Sequence, residues 1–476
     1  MDATDLLALL PLLIVATTAV VLMLGIAIRR SERATFVLTL VGLALALLSL
    51  PFLLSLTPRE VTGLLVVDGF ALFFTGLILA ATLVVALLSH RYWQGCDCER
   101  EEFYVLLVLA ALGGVVLVGS SHFASFFLGL EILSISLYAL IAYTYNERHR
   151  VEAGLKYLIL AAASAAILLF GMAMLYAALG TLSFEEMASH ATGAAPELLL
   201  VGAGLVMGGA GFKLALVPFH LWTPDVYQGA PLPVTAFIAT VSKGAMFALI
   251  LRFFTQFGLG QYAAVVNGFA LLAILSMLLG NLLALLQDNL KRVLAFSSIA
   301  HMGYLLVPFV AGGAAGQQAI AFYLVAYVVA SLLAFGVMTV LSGWDDEAEA
   351  IEEYRGLFWR HPWLAVGLVA ALFSLAGLPP SVGLVGKFIL AATGVEATLW
   401  LLLVVLVVGS VIGVFYYARV AILLFFDREK EGAEAVFAQG WGSAVALATL
   451  AALVLWLGVY PRPLLRLIAA VVQQLG

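Results

Sequence analysis

The chain has 476 residues, of which 64% are hydrophobic and 11% charged, and a formal net charge of −6. Its mean hydropathy is +1.13. So few polar side chains cannot cover a water-soluble globule of this length, which excludes a soluble enzyme or nucleic-acid binder and leaves an integral membrane protein.

Windows of about 20 apolar residues predict fourteen spans, near 5–28, 34–56, 68–89, 103–119, 122–145, 153–179, 197–218, 232–256, 262–286, 292–311, 317–341, 362–391, 397–425 and 437–460. The longest connection, the acidic segment from Ser342 to His361, is too short for a soluble domain. Residues 1–476 therefore read as a single all-α transmembrane domain. No small-residue cleavage site follows the first span, and Arg29-Arg30 lies on the wrong side for a signal peptide, so that span reads as retained.

Basic loops orient the chain. With the N-terminus outside, the inner loops hold Arg29, Arg30, Arg33, Arg91, Arg100, Arg148, Arg150, Lys291, Arg292, Arg355, Arg360, Arg428 and Lys430, and the outer side keeps chiefly Arg59, Arg462 and Arg466. Trp93, Trp344, Trp359, Trp363 and Trp441 fit an interfacial belt. Cys96 and Cys98, in an inner loop, are too few to complete a four-ligand metal or iron-sulfur shell and read as ordinary loop cysteines. No phosphate loop, dinucleotide fingerprint or haem pair occurs, so neither a metal nor a cofactor is expected in this chain.

Four of the six lysines, Lys156, Lys213, Lys243 and Lys387, fall within predicted spans. Each costs about 2.5 to 3.5 kcal/mol at a helix centre on insertion scales, which marks such residues as functional candidates. Glu131, deep in the fifth span, needs a cation or a proton; Lys156, early in the sixth, is the nearest cation in sequence, and also lies near enough to the boundary to snorkel. Lys213 and Lys243 sit on neighbouring spans, where close ammonium groups cannot both stay charged cheaply; a lysine poised between charge states accepts and releases a proton. Lys387 repeats that chemistry in the second half. His301, about ten residues into the tenth span, either connects the two halves or is a hydrogen-bonded core histidine. His220 and Asp225 read as residues that fix the chain near a break.

Two spans are interrupted. The seventh runs into Lys213-Leu-Ala-Leu-Val-Pro218-Phe-His220-Leu-Trp-Thr-Pro224, and the twelfth contains Gly377-Leu-Pro379-Pro380 ahead of Lys387. Paired broken helices point to inverted repeats, here spans 4 to 8 and 9 to 13, with packing kinks as the alternative. By simple counting both lysines fall on the outer side of their breaks, which resists a strict two-fold site.

The run Phe212-Lys213-Leu-Ala-Leu-Val-Pro-Phe-His-Leu-Trp-Thr-Pro-Asp-Val-Tyr-Gln-Gly-Ala-Pro-Leu-Pro-Val-Thr-Ala-Phe237, with Asn289-Leu-Lys-Arg-Val-Leu-Ala-Phe-Ser-Ser-Ile-Ala-His-Met-Gly-Tyr304 and Tyr354-Arg-Gly-Leu-Phe-Trp-Arg360, resembles the antiporter-like membrane subunits of bacterial proton-pumping NADH:quinone oxidoreductase, respiratory complex I. The likeness spans essentially the whole chain. A sister subunit typically has Glu where Lys387 stands, so Lys387 and the Thr-Pro-Asp-Val-Tyr run favour the subunit N branch. The resemblance implies that Glu131 and Lys156 form a charge pair, Lys213 is the broken-helix lysine, Lys243 the connecting lysine and Lys387 the terminal residue of a half-channel. It further implies a non-redox subunit of a translocase in the bacterial inner membrane. Lipids and other complex I membrane subunits would be its partners, protons its cargo, and NADH, FMN, iron-sulfur clusters and quinone would belong to other subunits. The related alternatives are an Mrp-type sodium/proton antiporter subunit and a membrane-bound hydrogenase subunit; a sodium path would want more buried acids than Glu131.

Overall fold

The structure is a computed structural model that describes residues 2–96, 98–144, 147–191, 195–426 and 440–473. Among the described residues, thirteen helices are long and apolar enough to cross a membrane: Leu10–Ile28, Glu32–Leu53, Gly69–Tyr92, Arg100–Gly119, Phe123–Ile141, Arg148–Leu179, Pro196–Leu214, Leu232–Phe257, Ala263–Leu285, Leu290–Ala311, Gly313–Val340, Trp400–Leu423 and Trp441–Val459. Between the eleventh and the last two lies a span in two limbs, Pro362–Ala376 and Val382–Glu396. Counting that broken helix, the spans follow the predicted series of fourteen, and are numbered in that order below.

The ends of the bundle are stitched separately, as alternate crossing requires. At one end a hairpin of Arg59–Val61 and Leu65–Val67 bridges to Ser120, His122 bridges to Ser183, and Arg59 holds Asp2 and Asp5 at 2.9 and 2.6 Å. At the other, basic end, Arg30 meets Glu102 at 2.5 Å, Arg100 meets Glu32 at 2.7 Å, Arg419 meets Asp288 at 2.5 Å, and Arg150 donates to the Trp344 carbonyl. Arg428 and Lys430 lie outside the described residues.

Small residues set the packing, as they must where lipid gives helices no hydrophobic reason to associate. A Cβ on Gly113 of span 4 would lie 2.5 Å from the Leu133 nitrogen and 2.8 Å from the Gly129 oxygen of span 5. In spans 9 and 10 the same contact recurs: a Cβ on Gly280 would lie 2.7 Å from the Ala300 nitrogen and 2.9 Å from the Phe296 oxygen. This recurrence aligns the two five-span units, pairing Leu133 with Ala300, and hence Glu131 with Ser298 and Ser134 with His301. Spans 8 and 11 are the most enclosed of the thirteen: an 18-residue stretch of each is buried throughout, Lys243 and Arg252 included in span 8.

Two sequence expectations are corrected here. Trp93 is not at a lipid interface: it is fully buried against Tyr92, Phe103 and Tyr143, whereas Trp359, Trp363 and Trp441 are exposed as a belt requires. Cys96 and Cys98 are not free thiols but are joined to each other as a disulfide.

Candidate functional site

Both predicted breaks are present and are built alike. Span 7 ends at Ala215, in the left-handed region at φ 59°, and resumes as the short helix Trp222–Gly229; the first limb of span 12 ends at Gly377, at φ 81°. Each connection contains a cis peptide bond before proline, Val217–Pro218 and Pro379–Pro380. A helix that stops inside a bundle leaves carbonyls without partners. In the first break the Trp222 indole N–H donates to the Phe212 carbonyl at 2.9 Å, and the Val217 N–H donates to Ser276 Oγ at 3.0 Å. In the second, Lys387 itself donates to the Ala376 carbonyl at 2.8 Å. The two lysines therefore sit at the breaks although one precedes and the other follows in sequence.

Lys213 is buried, its Nζ donating to Ser134 Oγ at 2.7 Å and to Tyr157 Oη at 3.2 Å, 5.0 Å from the centre of the Tyr157 ring. Glu131 lies one turn from Ser134 and is the carboxylate whose charge acts on Lys213. Its Oε1 is buried without a hydrogen-bond partner among the described residues. Such an oxygen wants a proton or a cation.

Lys243 is fully buried and donates to Ser298 Oγ at 2.6 Å. Just before it, Ile238–Ser242 forms a π turn, a wider coil that recurs at functional sites. Lys213 and Lys243 are not adjacent charges as the sequence suggested; the rings of Tyr157, Trp222 and Tyr227 stand between them, with centres 4.9 and 6.5 Å apart, and Lys243 Nζ is 5.5 Å from the Tyr227 centre. Ser298 also meets Tyr327 Oη at 2.6 Å and Tyr227 Oη at 3.4 Å.

His301, less than one turn beyond Ser298, pairs through Nδ1 with Tyr323 Oη at 2.8 Å and through Nε2 with Tyr417 Oη at 3.2 Å, and Tyr417 is in turn bonded to Ser297. Ser298, the partner of Lys243, lies three residues before His301, and Tyr304, whose ring faces Lys387, lies three residues after it, so one helix carries the contacts of both lysines. Lys387 is buried with its Nζ 5.1 Å from the centre of the Tyr304 ring. The structure thus buries Lys213, Lys243, His301 and Lys387, with Glu131 half-buried one turn from the hydroxyl that Lys213 meets.

Lys156 stands apart from it. Its side chain is 44% exposed and pairs with Glu152 at 2.7 Å and Asp225 at 3.2 Å, not with Glu131. The reason is register: Glu152 lies one turn away on the same helix, while Glu131 is about two turns deeper. Asp225 also binds Arg292 at 2.9 Å, so it fastens the far side of the first break.

Sequence reading missed three features. Arg252, inside span 8, is fully buried and grips Asp68 through two bonds of 2.7 and 2.8 Å, which accounts for a second buried acid. Lys291 is not a boundary marker but fully buried, bound to Glu347 at 2.5 Å. Ser134 and Ser298, the hydroxyls that hold the lysines, could have been found as polar residues one turn from Glu131 and His301 in otherwise apolar helices.

Membrane-spanning helices broken in two places, with a buried amine at each break and an imidazole between, define an antiporter-like membrane subunit. Residues 120–413 match the family described as NADH:quinone oxidoreductase/Mrp antiporter, TM. The chain is 50% identical to the NADH-quinone oxidoreductase subunit N of Methylococcus capsulatus, over 99% of this chain and 96% of that one, and 48% identical to that of Ectopseudomonas mendocina, over 98% and 96%. It belongs to the NADH-quinone oxidoreductase subunit N family. Among solved structures it resembles a chain of respiratory complex I from Thermus thermophilus with bound aureothin, with a TM-score of 0.83 and 37% identity over 96% of this chain and 99% of that one. A chain of the Mrp complex from a Dietzia species shares the fold, with a TM-score of 0.87 at 20% identity over 100% and 98% of the two chains.

Proposed function

We propose that this chain is the non-redox membrane subunit that moves protons in a bacterial NADH:quinone oxidoreductase, while other subunits oxidise NADH and reduce quinone. The observation that carries this reading is the set of buried amines Lys213, Lys243 and Lys387 with the buried imidazole of His301: Lys213 donates to Ser134 and Tyr157, Lys243 to Ser298 and Lys387 to the Ala376 carbonyl, and His301 meets Tyr323 and Tyr417, with the Glu131 carboxylate one turn from Ser134. Amines and an imidazole held by hydroxyls, rather than by permanent counter-ions, can change charge without leaving an unpaired partner behind. Charges this close in a medium of low dielectric interact strongly, so a proton shifted at one position changes the cost of a proton at the next. Energy enters through neighbouring membrane subunits, which must bind the charge states differently for the coupling to work. NADH, FMN, iron-sulfur clusters and quinone belong to other subunits of the complex. The bacterial inner membrane is the setting, with the N-terminus outside and the basic end in the cytoplasm.

Lys213→Met and Lys387→Met test the reading in the assembled complex. Each is expected to lower NADH-driven proton pumping in membrane vesicles by about tenfold or more, equal to about 1.4 kcal/mol of barrier or greater, with the complex still assembled. Unchanged pumping in both variants overturns the relay.

A further inference from the structure

The acidic connection between spans 11 and 12 does not lie loose at the basic end. Its Ala350 forms a β-bridge with Asn289, the Leu290 N–H donates to the Glu349 carbonyl at 2.7 Å, and the Ile351 N–H donates to the Asp288 carbonyl at 3.0 Å. This stitching carries two acids to the start of span 10. Lys291 Nζ donates to Glu347 Oε2 at 2.5 Å and to the Ala230 carbonyl at 2.8 Å, and lies 3.5 Å from Glu349 Oε1. Exposure falls along the series: 27% for the Glu349 side chain, 7% for Glu347 and 0% for Lys291. Glu347 Oε1 also accepts from the Leu232 N–H at 3.0 Å and from Tyr92 Oη. Its charged surroundings are completed by Arg150, which acts on Tyr92, and by Tyr354, on which both Glu347 and Glu349 act.

The position of this cluster on span 10 gives it a role. Lys291 and Ser298 are seven residues apart, two turns on one helix face, and His301 follows on the same side. Ser298 is the partner of Lys243. The same cluster also touches the start of span 8: the Ala230 carbonyl that accepts from Lys291 accepts from Thr235 Oγ1 at 3.3 Å, and Thr235 Oγ1 donates to the Tyr227 carbonyl at 3.1 Å. Tyr227 Oη reaches back to Ser298.

We infer that Glu349, Glu347 and Lys291 form the port through which protons from the basic-end aqueous phase reach Lys243. The inference rests on the relay proposed above. Glu349 takes a proton at the surface and passes it to Glu347. A protonated Glu347 no longer holds the Lys291 ammonium by charge, and Lys291 then turns along span 10 toward Ser298. Two turns of helix are about 10 Å; the lysine stem covers more than half of that distance, and water bridges the rest. There the Lys291 ammonium gives its proton, through Ser298 or water, to a neutral Lys243; the neutral Lys291 amine then returns and takes the proton from Glu347, which restores the ammonium–carboxylate pair and closes the port.

The test uses the assembled complex in inside-out vesicles, with NADH-driven proton pumping measured per assembled complex against the pH of the phase that bathes the basic end. Glu347→Gln is expected to lower pumping by about fivefold or more, because a lost acid-base group commonly costs this much or greater, and to make the loss deepen as that pH rises. Glu347→Asp, which keeps the carboxyl group, is expected to retain about half of the wild-type rate with the wild-type pH profile. A Glu347→Gln complex that pumps at the wild-type rate and pH profile overturns the port. So does a loss that falls in step with the amount of assembled complex and equally in Glu347→Asp, since that is the behaviour of a structural clamp. Lys243→Met separates the two proposals: if it pumps normally the relay itself fails, whereas loss in Lys243→Met with normal Glu347→Gln removes the port alone.

Discussion

The two breaks share a backbone plan and differ in what surrounds the amine. Lys213 has a carboxylate in range, Glu131, and two hydroxyl acceptors. Lys387 has a carbonyl oxygen and the face of Tyr304, and where the first unit carries Glu131 and Ser134 the second carries Ser298 and His301. The first amine thus has hydroxyl partners with a carboxylate one turn away, and the second has, among the described residues, only a carbonyl dipole and a ring face.

The most severe way to break this asymmetry is Ser298→Glu, which installs beside Lys243 the carboxylate that the first unit has. A close buried pair fixes both charges, and pumping is expected to fall by about tenfold or more with quinone reductase activity falling in parallel. Retained pumping would mean that the missing acid is not what distinguishes the units. Gly377→Ala acts on the second break alone. At φ 81° an alanine is strained, and its Cβ would lie 2.7 Å from Lys387 Cδ, pushing the lysine stem off its carbonyl. The expected cost is about 1 to 3 kcal/mol of local strain, seen as a several-fold loss of pumping. The mirror change, Ala215→Gly, has the opposite sign and the smallest size: relief of an alanine at φ 59° is expected to raise the thermal inactivation midpoint slightly, for a gain of at most about 1 kcal/mol after the entropy of glycine is counted.

The spans, the two breaks and the deep lysines were legible because each leaves a strong local mark: a long apolar run, a proline pair, a charge where charge is costly. Lys213, Lys243, Lys387 and His301 are buried, as the apolar runs around them imply. What the sequence could not give was contact between elements far apart in the chain. Lys156 was assigned to Glu131 by nearness in sequence, whereas Glu152 and Asp225 were in reach. Lys291 looked like a boundary charge because Glu347, its partner, comes 56 positions later. Arg252 escaped for the same reason, since Asp68 is 184 positions away. The hydroxyls that join the relay carry no charge to betray them; only the alignment of Gly113 with Gly280, visible once the helices are packed, shows that Ser298 occupies the place of Glu131.

The π turn ahead of Lys243 has one consequence for how the eighth span is assembled. Such a turn is a helix that has absorbed one surplus residue, and each residue rotates the helix by about 100°. Because the wide coil absorbs the surplus where it stands, closing it by removing one residue of Ile238–Ser242 would leave Lys243 at Ser298 and Arg252 at Asp68, whereas a surplus residue that a regular helix did not absorb would rotate all that follows. The amine at Ser298 and the guanidinium at Asp68 hold their places through the same five residues.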